Sequence, residues 1–402
     1  MRFALVPSLV LAVTVAVAQA KTPPSPSSPQ FADVVHDHFE AWDLDHDGKL
    51  EAREIDTLMT KRSIHGDAAA ALAVLKLRER RTPASIRKGF TLTSQDVDGL
   101  DSLTDDGAAI DPAKGPPKPF HSETQFRRYR KTLQTLVPKL YAGEGPDFSV
   151  MKQGPIGDCY FFCMTGYLAL KHPNKIRHMI QSGPNGNYTV QFLDGETFSV
   201  SAPTEAELLI NNSSSSLSDG IWLCVLEKAI GERLRKISKD PAKRTAEPTD
   251  AMAFGGSTAA VMTLYSGHKA KVIKLRDPKQ ASARLQELRH DLSVTLAHGR
   301  MVGLEMGAPP TDRPKVPGLG YHHAYAITAF DAKEDSVTVW NPWGQTFHPK
   351  GSEGRENGFA AEHGIFHVPL TTMYQVFGTV HVETTERATA DSSGRSTRRR
   401  SS

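Results

Sequence analysis

Apolar and polar positions follow several different rhythms along the chain. An almost unbroken apolar run extends from Phe3 to Ala18, with Arg2 before it and Ala18-Gln19-Ala20 closing it. A short positive start, an apolar stretch and a small-x-small triplet are the layout of an export signal, and the run is shorter than the roughly 20 residues of a spanning helix. Residues 1–20 are therefore expected to be a signal peptide cleaved after Ala20, an uncleaved anchor being the alternative. The Pro- and Ser-rich residues 21–30 read as a linker. Phe31, Val34, Val35, His38, Phe39 and Trp42 then recur at helical spacing, and a second helix is predicted over Ala68 to Arg81. Residues 104–120, with Asp-Asp-Gly and clustered prolines, read as an interdomain linker. Beyond them helical and strand patterns mix as far as Glu383. An apolar run from Tyr160 to Leu170 predicts a buried helix. Two strands, one following Gly320 and one over Ser336 to Trp340, flank a charged turn and are placed to pair as a hairpin. The Ser213 to Ser216 run reads as a surface loop, and from Thr384 periodicity is lost.

These rhythms predict an α+β protein with a helical region over 31–103, a mixed domain over 121–383 and a disordered tail over 384–402. Composition alters the picture little: among 402 residues, 39% are apolar, 23% are charged and the net charge is +3. Basic residues are spread out, which excludes a nucleic-acid surface; Arg398, Arg399 and Arg400 read as a frayed tail. Three cysteines are too few, and odd in number, for a disulfide framework. Cys159 and Cys163 would lie one turn apart, a poor geometry for a bridge. A Cys163–Cys224 bridge stays open, beside the preferred reading of both as small buried side chains.

Asp43-Leu-Asp-His-Asp-Gly-Lys-Leu-Glu-Ala-Arg-Glu54 matches a calcium loop at its diagnostic places. Asp43, Asp45 and Asp47 stand at positions one, three and five, and Gly48 stands where the chain must turn. The Lys49 carbonyl falls at seven, Glu51 at nine and the bidentate Glu54 at twelve. A hard cation wants about six to eight oxygens, and only a loop wrapped around it lets alternate carboxylates converge. The region resembles an EF-hand. Such hands usually pair, and the partner candidate is Asp96-Val-Asp-Gly-Leu-Asp101, either a degenerate loop or merely a turn.

Gln153-Gly-Pro-Ile-Gly-Asp-Cys159-Tyr-Phe-Phe carries the most chemistry. Gly154, Pro155 and Gly157 make a constrained turn, Asp158 is a good N-cap, and Cys159 falls in the first turn of the buried helix. Free amides and the helix dipole there are expected to depress the thiol pKa. The Cys159 amide and the Gln153 side chain are placed to receive a developing oxyanion. A thiolate nucleophile needs an imidazole and a group to hold it. His322 and His323 stand at a loop-to-strand junction, and the hairpin returns Asn341 beside them. Asn341 can fix the ring tautomer, as in papain-like Cys-His-Asn sites, with Trp343 shielding the bond.

Together these residues resemble the protease core of the calpains. The resemblance rests on Gln153 to Phe161, on a histidine directly before Ala-Tyr, which selects His323, and on Asn341-Pro-Trp-Gly344. It extends to Trp222 with Leu226-Glu-Lys-Ala229, Gly255-Gly-Ser-Thr258 and Gly364-Ile-Phe. It implies a two-lobed papain-like, calpain-type core hinged near Gly255-Gly256, with lobes over about 121–254 and 255–383. It also implies Cys159 as nucleophile, His323 as base, Asn341 as its orienter and Gln153 as oxyanion donor. Tyr160 stands where the family usually has Trp, the hand is N-terminal rather than C-terminal, and the export signal is unlike the cytosolic members. The expected function is a calcium-dependent cysteine endopeptidase acting on proteins or peptides. It is expected to be secreted or periplasmic and monomeric, without nucleic acid and without stable membrane association once the signal is removed. A catalytically dead calcium-binding module and a Cys-His transferase of transglutaminase type are the alternatives.

Overall fold

The computed structural model describes residues 28–81, 90–102, 121–154, 156–211, 219–240, 244, 247–253, 255–311 and 314–388. The expected export signal, the 104–120 linker, most of the 21–30 linker, the Ser213–Ser216 loop and residues 389–402, including the terminal arginines, lie outside the described residues.

The amino-terminal part folds as α1 (Phe31–Trp42), β1 (Lys49–Glu51), α2 (Ala52–Met59), α3 (Gly66–Arg81), β2 (Thr91–Thr93), α4 (Ser94–Asp98) and, across the linker, α5 (Ser122–Gln134). Helix α3 begins slightly before the expected Ala68. It lies at the centre of this unit: every residue from Ala69 to Leu75 is buried, and its small alanines let α1, α2 and α5 approach closely. Phe31, Val35, Trp42, Leu50, Ile55 and Leu58 close the core around it. Helix α5, expected to open the mixed domain, instead contributes Phe126 and Tyr129 to this helical core.

Strands β1 and β2 pair antiparallel with Leu50 opposite Leu92. That register favours the turn alternative for Asp96–Asp101 over the degenerate loop. If Leu92 is the counterpart of Leu50, the second loop covers residues 85–96, and Ser85, Arg87 and Gly89 stand where the first has Asp43, Asp45 and Asp47. Asp96 and Asp101 serve as caps, while Asp98 lies 3.1 Å from His36 Nε2. The Asp96 carboxylate accepts from the Thr93 amide at 2.7 Å to start α4, and Asp101 accepts from the Ser122 amide at 2.7 Å to start α5.

The mixed domain continues with α6 (Cys159–Lys171), α7 (Pro173–Met179), β3 (Ile180–Ser182), β4 (Asn187–Gln191), β5 (Thr197–Ser201), α8 (Glu205–Asn211), α9 (Trp222–Ile237), α10 (Pro248–Met252) and α11 (Thr258–Ser266). Strands β3, β4 and β5 make a small antiparallel sheet. Then come β6 (His268–Lys274), α12 (Ala281–Ala297), β7 (Val302–Met306), β8 (His323–Asp331), β9 (Ser336–Trp340), β10 (Ile365–Pro369), α13 (Leu370–Val376) and β11 (Thr379–Arg387). Six of these strands form one antiparallel sheet in the order β10-β9-β8-β7-β11-β6. Strand β11 runs to Arg387, into the stretch expected to lack structure, because its backbone pairs with β6 as far as Arg387 and His268.

Helix α6 is apolar all round and buried, packing with α9 and α11 and against Ala324, Ala326 and Trp340 of the large sheet. A second core, with α12 and α13, covers Tyr325, Ile327 and Val339. The expected hinge, Gly255-Gly256, lies between α10 and α11; a Cβ on Gly256 would fall 2.3 Å from the Tyr160 ring, so this segment is packed onto α6. Cys163 and Cys224 are free and fully buried, so the open Cys163–Cys224 bridge is not formed. Among the described residues no helix is long and apolar enough to cross a membrane.

Candidate active site

The turn before α6 is shaped by one close approach. A Cβ on Gly157 would lie 2.4 Å from the Ala253 carbonyl oxygen, so only glycine lets the two strands of backbone touch. Pro155 of this turn lies outside the described residues. Asp158 does sit at the N-cap, but its side chain makes no cap bond, contrary to expectation. Its carboxylate is turned inward, fully buried, and accepts from Gln153 Nε2 at 3.0 Å. There it meets Glu227 of α9. Burial pushes Asp158 up to about 7, and burial together with the Asp158 charge puts Glu227 well above the usual carboxylate range.

Gln153 Nε2 also donates to the Ile156 carbonyl at 2.8 Å. Both amide hydrogens are thus given to the turn rather than held out for a substrate. Two acceptors on one side of the amide fix which atom is nitrogen. The Gln153 backbone amide donates to the Pro342 carbonyl at 2.8 Å, tying the turn to the Asn-Pro-Trp loop.

Cys159 is half-buried at the head of α6, its thiol within hydrogen-bonding reach of the Ala324 backbone, one residue beyond His323. Its pKa is not depressed as expected. Burial, helped by the Asp158 carboxyl, pushes the thiol up to about 11, against the opposing pull of the Ala324 and Tyr160 amides. Desolvation under the sheet outweighs the helix terminus.

His323 is the first residue of β8 and is buried. Strands β8 and β9 form the expected hairpin, with Ala326 opposite Trp340, and this returns Asn341 to His323. His323 Nε2 lies 2.8 Å from Asn341 Oδ1, which also accepts from the Trp343 amide at 3.0 Å. The Trp343 amide can only donate, so the atom facing both groups is the Asn341 oxygen; Nε2 therefore carries the ring proton and Nδ1 is left as the basic nitrogen. Trp343 stacks on the imidazole, with ring centroids 4.0 Å apart and planes at 28°. Gly320 makes room for it, since a Cβ there would fall 2.3 Å from the indole. His322 is exposed, with positive φ, its amide donating to the Gly307 carbonyl at 2.9 Å.

The sequence pattern of the calpain family of cysteine proteases matches residues 109–357, more than half of the chain. The chain belongs to that family. A search of the curated proteins gives no match. Membership brings cysteine-peptidase chemistry and protein substrates with it. In this calpain-family chain the matched segment spans Gln153, Cys159, His323 and Asn341, while the helical unit up to α4 lies before it and β10, α13 and β11 lie beyond it.

One neighbour of the calpain-type site went unseen in sequence. Glu305 of β7 lies opposite Ala324, accepts from Thr258 Oγ1 at 2.6 Å and sits 3.1 Å from His381 Nε2. Burial alone would raise its pKa, but His381 and Thr258 hold it below the ordinary carboxylate range. Its partners come from α11 and β11, so no local motif could reveal it.

Two sets of carboxylates gather at the helical unit, the second completed by Asp250 of α10. Asp43, Asp45 and Asp47 each offer an oxygen, and these lie within 4.8 Å of one another. The chain winds around them: His46 and Gly48 have positive φ, and the Asp47 and Gly48 amides donate back to Asp43 at 3.2 and 2.8 Å. Glu54, buried at the start of α2, reaches over to accept from the amides of Asp45 and Glu51 at 3.3 and 2.8 Å. Glu51 is half-buried at the N-cap of α2, and Lys49 pairs with Thr93 in β1. An all-oxygen set of this density suits a hard divalent cation. The second set, Asp56, Glu79 and Asp250, already surrounds a cation: Lys76 Nζ donates to Glu79 at 2.7 Å, to Asp250 at 2.5 Å and to Asp56.

Proposed function

We propose that the chain is an exported, calcium-dependent cysteine endopeptidase with Cys159 as nucleophile, His323 as base and Asn341 as the residue that orients it. The observation that carries this reading is the 2.8 Å contact between His323 Nε2 and Asn341 Oδ1, His323 being next in sequence to Ala324, whose backbone is within hydrogen-bonding reach of the half-buried Cys159 thiol. With Nε2 protonated, Nδ1 takes the thiol proton as sulfur attacks the scissile carbonyl. Because burial disfavours a lone thiolate, the proton transfer makes an ion pair in which imidazolium offsets the charge on sulfur. The oxyanion is received by the Cys159 amide and by Gln153, which exchanges one of its two turn bonds for the substrate oxygen. Imidazolium then protonates the leaving amine, and water, deprotonated by His323, releases the acyl group.

The oxygen donors of Asp43, Asp45, Asp47, Glu51 and Glu54, with the Lys49 carbonyl, would hold calcium; the ion would supply structural order to the helical unit. The second loop lacks carboxylates at the corresponding first three positions, so this reading assigns a single site to the pair. The apolar run before Ala20 supports export.

The test is residues 21–402 incubated with casein, with calcium and with excess chelator, beside Cys159→Ala. Cleavage is expected only from the wild-type chain with calcium. Equal cleavage by Cys159→Ala refutes the assignment of the nucleophile, and undiminished turnover in chelator refutes the calcium dependence.

A further inference from the structure

Helix α10 touches the catalytic turn on one flank and the helical unit on another. Immediately after it, the Ala253 carbonyl bears on Gly157, two residues before Cys159. At its start the Pro248 carbonyl is pressed onto Gly231 of α9, where a Cβ would fall 2.1 Å away. Neither contact has slack, so a displacement of α10 moves the turn Gln153–Asp158 with it.

Two cations of α3 grip that short helix. Arg80 Nε donates to Asp250 Oδ1 at 2.6 Å, and Nη2 donates to Thr249 Oγ1 at 2.9 Å and lies 3.6 Å from Glu247 Oε2. Lys76 Nζ holds the other Asp250 oxygen at 2.5 Å while bonding Glu79 and Asp56 in its own unit. Glu247 in turn caps α10, accepting from the Thr249 amide at 2.9 Å. The Lys76 side chain is 1% exposed and that of Arg80 8%, so solvent screens these pairs little. Both cations lie before residue 109, outside the segment shared with the calpain family.

We propose that α3 is an intramolecular clamp on the catalytic turn, with Arg80 and Lys76 as positioning residues for Cys159. This rests on the reading of Cys159 as nucleophile. The clamp holds α10 so that Ala253 keeps Gly157, and hence Gln153 and the head of α6, in place. The Arg80 charge also favours the ionised forms of Asp158 and Glu227, the acid pair behind the nucleophile, and so helps keep an acceptor on Gln153. Docking of the helical unit does not depend on these ions alone. Arg62 donates to the Asn185 carbonyl at 2.8 Å and Asn187 Oδ1 at 2.9 Å, the Gly66 amide donates to Glu205 at 2.6 Å, and Ala206, Leu209 and Ile210 of α8 lie in the helical core. Asp250→Asn is therefore expected to stay folded.

The test uses the full chain carrying Arg80→Met, Asp250→Asn or Arg80→Lys. kcat and KM are measured on a fluorogenic casein peptide, the alkylation of Cys159 by iodoacetamide is followed by mass spectrometry, and circular dichroism is recorded alongside. Arg80→Met and Asp250→Asn are expected to lower kcat by roughly ten- to a hundredfold, the cost of a misplacement of about 1 Å, with KM within about twofold. Arg80→Lys, which keeps the charge and one bond to Asp250, is expected to recover most of kcat. Folded variants with wild-type kcat and alkylation overturn the clamp. So does activity that falls only in step with ellipticity in both variants, because the ion pairs would then be structural alone. A wild-type Cys159 no more reactive than a free thiol refutes the nucleophile reading itself, which separates that failure from failure of the clamp.

Discussion

Replacing Gly166 with alanine tests whether α6 and β9 are in contact in the working enzyme. An ideal Cβ on Gly166 would sit 2.1 Å from Trp340 Cζ3, 2.4 Å from Cη2 and 3.0 Å from Cε3. Carbon atoms pack at about 3.5–4 Å, so helix and indole must part by about 1.5 Å. Trp340 is 1% exposed and packs against Phe148 at a centroid distance of 4.9 Å, so it has little room to yield. Overpacking of this kind costs about 1–3 kcal/mol. Exchanging a helical glycine for alanine returns about 1 kcal/mol, leaving a net loss of up to about 2 kcal/mol. At about 2–4 °C per kcal/mol, the Tm is expected to fall by up to about 8 °C. The effect on turnover is expected to be larger, because Asn341, the proposed orienting residue, directly follows Trp340 and a shift of about 1 Å in a catalytic group costs on the order of a hundredfold. Calorimetry and kcat/KM on the same preparations read the two effects. Gly166→Ala combined with Trp340→Phe, which vacates part of the clash, is expected to recover some of both. A wild-type Tm with unchanged turnover in Gly166→Ala would refute the reasoning.

Trp343→Ala removes the ring stacked on His323; with such contacts worth about 0.5–1.5 kcal/mol, kcat is expected to fall about two- to tenfold at unchanged KM, and an unaltered kcat contradicts the shielding role. His323→Ala removes the proposed proton acceptor of Cys159, so alkylation at Cys159 is expected to rise with pH along a curve centred near 11, the value set by burial; reactivity increases as pH climbs because only the thiolate reacts, and a midpoint at or below the ordinary thiol value of 9.0 counts against that burial effect. Calcium at a hundred times its Kd is expected to stabilise the full chain by about 2.7 kcal/mol in calorimetry, and Asp43→Asn or Glu54→Gln is expected to remove the effect; a wild-type Tm indifferent to calcium rules out the loop as a binding site.

What was legible in sequence was local. The turn into α6, the hairpin that joins His323 to Asn341 and the winding of Asp43 to Glu54 each depend on neighbours a few residues apart, and glycine, proline and acid spacings report such neighbours directly. What was not legible depends on distant parts of the chain. Asp158 has the residue type of a cap, yet Glu227 and Gln153 draw it inward. The pairing of Leu92 with Leu50 could not be read from the acids of Asp96–Asp101, because it joins residues 42 positions apart. Lys76 and Arg80 look like ordinary exposed charges on an alanine-rich helix until Asp250 is brought to them. The thiol pKa has a related cause: helix position can be read from sequence, but burial under a sheet formed much later in the chain cannot.

That late sheet has a consequence for the nascent chain. Strand β11 lies between β7 and β6, pairing Thr379–Val382 with both. During synthesis the Cys, His and Asn positions all leave the ribosome before β11 does, yet β7, which supports the histidine strand, has an open edge until β11 arrives. A nascent chain thus carries the proposed Cys159, His323 and Asn341 positions before the sheet that aligns them is finished. Strand order alone leaves the large sheet that carries His323 incomplete until translation has passed residue 382.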